Sequence, residues 1–253
     1  MPQQPSSFAD TGPVAVLGAT GGTGSAVARR IAALGGRTVL LARDASKLAA
    51  LGAELGAPTV ELAGAAPGMV AQALAAAAAA HGPLGGIANC IGSLLLKPAN
   101  RTTADEWASV VETNLGSCFG VAMALPAAMP QGGSVVFVSS VAATTGMPNH
   151  EAIAAAKAGV EGLCRSIAAG QVRRGIRCNC VAPALVRSPM TEPMLARAGM
   201  EDAVRKQNPM QHIGTVDDLA SAVCWLLDPA QRWVTGQVLG VDGGLGVLRT
   251  PTA

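Results

Sequence analysis

Tyrosine is missing from the whole 253-residue chain, and three phenylalanines and three tryptophans supply the only aromatic side chains. Any mechanism that draws its proton from a phenol is therefore closed to this sequence. Charge is also sparse: 13% of residues are Asp, Glu, Lys or Arg, and the formal net charge is +2. So small an excess leaves no electrostatic footprint for nucleic acid. Strongly apolar runs fall short of the about 18 residues that a membrane span needs, and the alanine tract at 75–80 reads as a helix former. The opening MPQQPSSFADTGP has no basic segment leading into an apolar one, which argues against a secretion signal and predicts a frayed tail over residues 1–12. Cys90, Cys118, Cys164, Cys178, Cys180 and Cys224 show neither a disulfide framework nor a paired C-x-x-C spacing. They are expected to be reduced and structural, in a cytoplasmic protein with no metal site.

What the chain does have is a regular alternation of two periodicities. Short apolar runs with β-branched residues fall at 14–17, 38–42, 59–62, 86–90, 134–139, 176–182 and 238–241. Between them lie alanine-rich helical segments at 25–34, 45–55, 69–80, 104–129 and 152–174, and a later one at 215–227. At this length the pattern is expected to form one domain, 13–249, with a large core. The implied class is α/β, a doubly wound parallel sheet with helices on both faces. Ligands of such a sheet bind at the carboxyl ends of its strands.

The first strand runs into Gly18-Ala-Thr-Gly-Gly-Thr-Gly24, and a helix follows at once. Gly18, Gly22 and Gly24 permit a tight turn, close backbone approach to a pyrophosphate and close packing of helix on strand. With Thr20 and Thr23 between them, they are expected to hold a dinucleotide on unpaired N–H groups at the positive end of the helix dipole. The second strand ends at Ala42-Arg43, with no acidic residue for a ribose 2′-hydroxyl. A guanidinium suits a 2′-phosphate, so NADP(H) is favoured over NAD(H). The competing reading makes Arg43 a solvated cation neutralised by Asp44. Glu61, at the end of the third strand, is expected beside the adenine or as a plain surface carboxylate.

These segments and several later ones resemble the short-chain dehydrogenase/reductase family over nearly the whole chain. Gly18-x-x-x-Gly22-x-Gly24 is similar to that family's cofactor turn, and Asn89-Cys-Ile-Gly92 to its Asn-Asn-Ala-Gly segment, with Cys90 and Ile91 substituted. Asn114, within Glu112-Thr-Asn-Leu, matches the helix asparagine of the family's catalytic group, Ser140 its serine and Lys157 its lysine. Pro183-Ala184 stands where the family usually has Pro-Gly. It leads through Val186 to Ser188, at the position whose threonine usually contacts the nicotinamide amide. Residues 235–244 resemble the family's C-terminal strand. The resemblance implies a Rossmann-type fold, cofactor contacts at Asn89, Gly92, Lys157, Pro183, Val186 and Ser188, and a substrate lid around 188–211. It also implies a homo-oligomer, dimer or tetramer, joined through the long helices 104–129 and 152–174.

The family's tyrosine stands four residues before the lysine, and that position here is Ile153. In the usual mechanism, as the resemblance implies, the phenol protonates the carbonyl oxygen while hydride arrives from the nicotinamide. Lysine lowers the phenol pKa and holds the ribose, and serine orients the substrate. Isoleucine can do none of the proton work. The family's divergent branch carries its tyrosine seven residues before the lysine, where this chain has His150. An imidazole can donate a proton to a developing alkoxide or enolate, which makes His150 the candidate acid, with Glu151 beside it to orient the ring. The alternative for His150 is a polar helix cap. Ser140 and Asn114 have the corresponding structural alternatives of a strand-end cap and a partner for a helix carbonyl, and Lys157 that of a solvated cation. His81 and His212 read as surface residues without chemistry.

Met190, Met194, Met200 and Met210 in the lid segment, with Leu94, Leu95 and Leu96 after Gly92, point to a small apolar or acyl substrate. The leading expectation is an NADP(H)-dependent reductase of a carbonyl or a conjugated C=C bond. Two alternatives stay open: a redox-silent NADP-binding partner or regulatory subunit, and a non-redox elimination or cyclisation enzyme that reuses the pocket.

Overall fold

Alternate residues of a strand face opposite sides of a sheet, and here both sides are apolar. The structure is a computed structural model that describes residues 7–249. Its strands are β1 (Val14–Leu17), β2 (Thr38–Ala42), β3 (Thr59–Glu61), β4 (Gly86–Asn89), β5 (Gly133–Val138), β6 (Ile176–Pro183), β7 (Val186–Arg187), β8 (Gly214–Thr215) and β9 (Val238–Val241). Seven of them form one parallel sheet in the order β3-β2-β1-β4-β5-β6-β9, while β7 pairs separately with β8. The helices are α1 (Gly22–Ala33), α2 (Ala45–Leu55), α3 (Pro67–His81), α4 (Ala104–Val111), α5 (Ser117–Ala128), α6 (Glu151–Gln171), α7 (Glu192–Leu195), α8 (Met200–Gln207) and α9 (Val216–Leu227).

Ala15, Leu17, Ile87, Val135, Phe137 and Cys178 point to one face, where Leu74 of α3, Val121 of α5 and Val160 of α6 cover them. Their neighbours Val14, Val16, Ala88, Val136 and Val181 point to the other, under Val27 of α1, Leu51 of α2 and Val223 of α9. A sheet buried on both faces needs continuously apolar strands, which is why these read as runs rather than alternations. The strand order reverses between β1 and β4 and opens a crevice at their carboxyl ends.

Three expectations are corrected. The stretch Ala104–Ala128 is long and apolar enough, by length and composition, to cross a membrane, with mean hydropathy 1.3. Val110, Val111, Leu115, Val121 and Leu125 carry most of that mean, and in the fold Val121 and Leu125 are buried against the sheet. Nor is it one α-helix: a π turn, Glu112–Gly116, interrupts it. The frayed tail does not extend over residues 7–12, because Phe8 is buried in a short 3-10 turn against the α1 face; the rest of that expectation, residues 1–6, lies outside the described residues. The lid segment also carries the short helices α7 and α8, fastened to β7 where Arg187 meets Glu201 at 2.6 Å and Glu192 at 3.3 Å.

Candidate active site

Two glycines in the first turn leave no room for a side chain. Gly18 adopts φ +69°, and a Cβ there would stand 3.0 Å from the Cys90 carbonyl group. At Gly24 a Cβ would come within 2.2 Å of the Gly18 oxygen. The turn thus lies directly on the carboxyl end of β4 and closes on itself, a cradle whose backbone a pyrophosphate can approach. At Gly22 a Cβ would meet Pro189 at 3.0 Å and Ser188 at 3.3 Å, so the base of the lid reaches the same turn. Thr20 and Thr23 flank these glycines, half-buried.

Arg43 follows β2 directly and is exposed. Asp44 does not neutralise it: its carboxylate caps α2, accepting from the Lys47 N–H at 3.1 Å and the Ser46 hydroxyl at 2.8 Å. These bonds, the Lys47 backbone foremost, hold its pKa down to about 2. No ion pair to Arg43 forms among the described residues. Glu61 ends β3 in register with Ala42, exposed on the edge of the sheet. The glycine cradle fits the pyrophosphate of a nicotinamide dinucleotide, and the Arg43 guanidinium stands unpaired at the end of β2 beside it.

Beyond the turn the cleft runs along β4 and β5. A Cβ on Gly92 would lie 3.3 Å from Asn114 Oδ1 and 3.8 Å from Lys157 Nζ, so these three residues share one wall. Asn114 sits in the π turn, fully buried. Its amide donates to the Val110 carbonyl at 3.0 Å and the Ser93 hydroxyl at 3.0 Å, and its oxygen accepts from the Ser93 N–H at 3.3 Å. The π turn rotates this one side chain out of helical register and toward the cleft, a frequent use of such turns. Lys157 is 6% exposed and donates to the Val138 carbonyl at 2.7 Å. Burial pushes its pKa down, and the facing thiols of Cys118, Cys180 and Cys90 oppose the shift. Burial also drives the Cys90 thiol up to about 12 and the Cys118 thiol up to about 11, so neither is a ready nucleophile.

Other expected residues are placed differently. Asn89 is buried and its side chain is consumed structurally: Oδ1 accepts from the Ile91 N–H at 3.1 Å, and Nδ2 donates to Ser117 and Cys118. It ties the β4 turn to α5. Ser140 caps the turn Val141–Ala143, its oxygen accepting from the Ala142 N–H at 3.2 Å, which leaves its own hydrogen free to donate. Pro183 ends β6 and Val186 begins the small second sheet. Ser188 is held by Thr191, whose oxygen accepts from the Ser188 N–H at 3.0 Å while its hydroxyl donates to the Val186 carbonyl at 2.6 Å.

His150 immediately precedes α6, after Asn149 in a left-handed conformation at φ +63°. Its Nδ1 lies 2.8 Å from the Pro148 carbonyl oxygen. A carbonyl only accepts, so Nδ1 carries a hydrogen and Nε2 is the nitrogen left for chemistry. Ile153 and Lys157, four apart, share one side of α6, and the His150 backbone stands just before its first turn, about 10 Å of axial rise from that of Lys157. Ile153, 3% exposed, packs with Val110, Ala152, Ala156 and Leu95. The side chain four residues before Lys157 is thus enclosed in hydrocarbon. Ser93, Thr191, Ser139 and Glu161 complete the polar framework, and no sequence motif assigns any of them a role in the site.

No arrangement of His, Cys, Asp or Glu side chains among the described residues could hold a metal ion. Residues 18–246 match a family model described as enoyl-(acyl carrier protein) reductase. A tropinone reductase homolog of Arabidopsis thaliana is 33% identical over 174 residues, 68% of this chain and 66% of the relative, so the chain spans just under two thirds of that protein. A galactitol 2-dehydrogenase (L-tagatose-forming) of Cereibacter sphaeroides is 32% identical over 92% of this chain and 94% of its own length. Among solved structures, a short-chain type dehydrogenase/reductase from Mycobacterium ulcerans superposes with a TM-score of 0.88, 28% identity and 94% and 91% coverage. An actinorhodin polyketide ketoreductase with NADPH gives 0.87, 27%, 95% and 99%.

Proposed function

The chain belongs to the short-chain dehydrogenase/reductase family, and from that premise we propose that it is an NADP(H)-dependent reductase of a carbonyl or conjugated C=C bond in an apolar or acyl small molecule. The observation that carries the cofactor preference is the exposed Arg43 at the end of β2, with Asp44 engaged elsewhere. When bound, the cofactor supplies the hydride. The chain supplies the rest: the glycine turn cradles the pyrophosphate, Lys157 donates to ribose hydroxyls, and Ser188 Oγ accepts from the carboxamide NH2 while its own hydrogen goes to Thr191.

Ser140, with its hydroxyl hydrogen free, orients the substrate oxygen. His150 holds its second hydrogen at Nε2 when doubly protonated and delivers it to that oxygen, or to the enolate of a conjugated substrate, while Pro148 keeps Nδ1 fixed. Asn114 positions the loop at Ser93. Exposed Leu94, Leu96, Met190 and Met210 support an apolar substrate, and half-exposed Trp107, Phe119 and Met123 on α4 and α5 support a homo-oligomer. The hydrocarbon around Ile153 favours a second reading, a redox-silent nucleotide-binding subunit.

Substituting Arg43→Ala tests the assignment. NADPH affinity is expected to fall at least about tenfold with NADH affinity unchanged, the loss of a charge-assisted contact to phosphate. Equal effects on both nucleotides would remove the 2′-phosphate contact.

A further inference from the structure

Glu161 lies one turn beyond Lys157 on α6 and is only 6% exposed. Removing a carboxylate from water is costly unless hydrogen bonds replace the lost hydration. Its Oε1 accepts from the Ser139 hydroxyl at 2.8 Å. The Ser139 N–H meanwhile donates to the Val181 carbonyl of β6 at 2.7 Å. One residue earlier, the Val138 carbonyl receives Lys157 Nζ. Residues four apart share a helix face, so two charged side chains of α6 grip consecutive residues at the strand end that delivers Ser140 to the cleft.

We propose that Glu161 is a positioning residue: its bond to Ser139 fixes the end of β5, so that the Val138 carbonyl meets Lys157 and Ser140 enters the cleft in working geometry. The groups facing Lys157 are the thiols of Cys90 on the β4 turn, Cys118 on α5 and Cys180 on β6. Thiols bind an ammonium weakly, so the Val138 oxygen sets its direction. Freed from Glu161, the Ser139 hydroxyl turns to the Lys157 carbonyl, already 3.4 Å away, and the strand end loosens. The catalytic consequence rests on the reductase reading; the geometry does not.

The test compares Glu161→Gln, which keeps an oxygen to accept from Ser139, with Glu161→Leu and Ser139→Ala, which remove the bond. Two quantities are measured: acylation of Lys157 by acetic anhydride without nucleotide, mapped by peptide mass, and NADPH affinity by fluorescence. Leu and Ala are expected to raise Lys157 labelling at least fivefold and weaken NADPH to the same extent, the double variant being no worse than either single one, because both delete one interaction. Gln stays within twofold of the parent. Should Glu161→Leu fail to fold, Ser139→Ala carries the same comparison. Labelling unchanged in both would overturn the proposal, as would a Gln variant as perturbed as Leu, which would make charge rather than the hydrogen bond decisive. If the parent protein binds no NADPH, the reductase reading fails while the labelling still decides the role of Glu161.

Discussion

Lys157 Nζ lies 2.7 Å from the Val138 carbonyl oxygen, and no carboxylate among the described residues pairs with it. A buried ammonium held by one neutral oxygen is poorly compensated, and its pKa falls from the ordinary 10.5. Between the lowered folded value and 10.5 the unfolded chain binds more protons than the folded one, so this group makes stability rise with pH across that window. Its cost is fully present below the folded value. Lys157→Met is therefore expected to stabilise the protein by about 1 to 2 kcal/mol at neutral pH. That advantage shrinks toward pH 10.5, as urea denaturation at several pH values would record. A Met variant less stable than the parent at neutral pH would show that the Val138 bond outweighs desolvation.

His150 offers only Nε2 to a substrate, since Nδ1 donates to Pro148. Replacing it by Ala or Phe is expected to lower kcat for reduction by about 100-fold or more, the usual scale for a lost general acid, with NADPH affinity within about twofold. Turnover that survives both substitutions would end the case for His150 as acid.

Ile153→Tyr returns a phenol to the turn of α6 just before Lys157. The ring must displace the cluster of Val110, Ala152, Ala156 and Leu95, at a cost of about 1 to 3 kcal/mol in stability. If the cleft keeps its family geometry, ketone reduction rises by about 10-fold or more over the parent. Conjugated alkenes, which need only enolate stabilisation, gain less. A correctly folded Tyr variant with no gain on any ketone would show that this position no longer addresses the substrate.

Much of the fold was legible because each central strand is buried on both faces and the helices α3, α5 and α6 that cover one face are rich in alanine. The ends of β1, β2 and β9 and of α2 coincide with the periodic segments. The π turn was not legible, since Glu112-Thr-Asn-Leu-Gly lies inside one continuous apolar periodicity and its irregularity accompanies tertiary contacts of Asn114 with Ser93. Lid helices α7 and α8 are short and weakly patterned, and they are fastened by the ion pairs of Arg187, which periodicity does not register. In the site, glycines and Lys157 stand out by motif. The side-chain commitments that tie down Asn89 and bury Glu161 depend on residues 28 and 22 positions away in the chain, a distance no local pattern reports.

The most direct measurement is titration of the purified protein with NADPH and NADH by nicotinamide fluorescence, followed by loss of reduced-cofactor absorbance against ketones, quinones and enoyl thioesters. The account predicts NADPH binding at least about tenfold tighter than NADH, a difference that Arg43 supplies, and oxidation of NADPH by at least one substrate class. Tight binding with no oxidation across the panel would contradict it and leave a redox-silent nucleotide-binding protein.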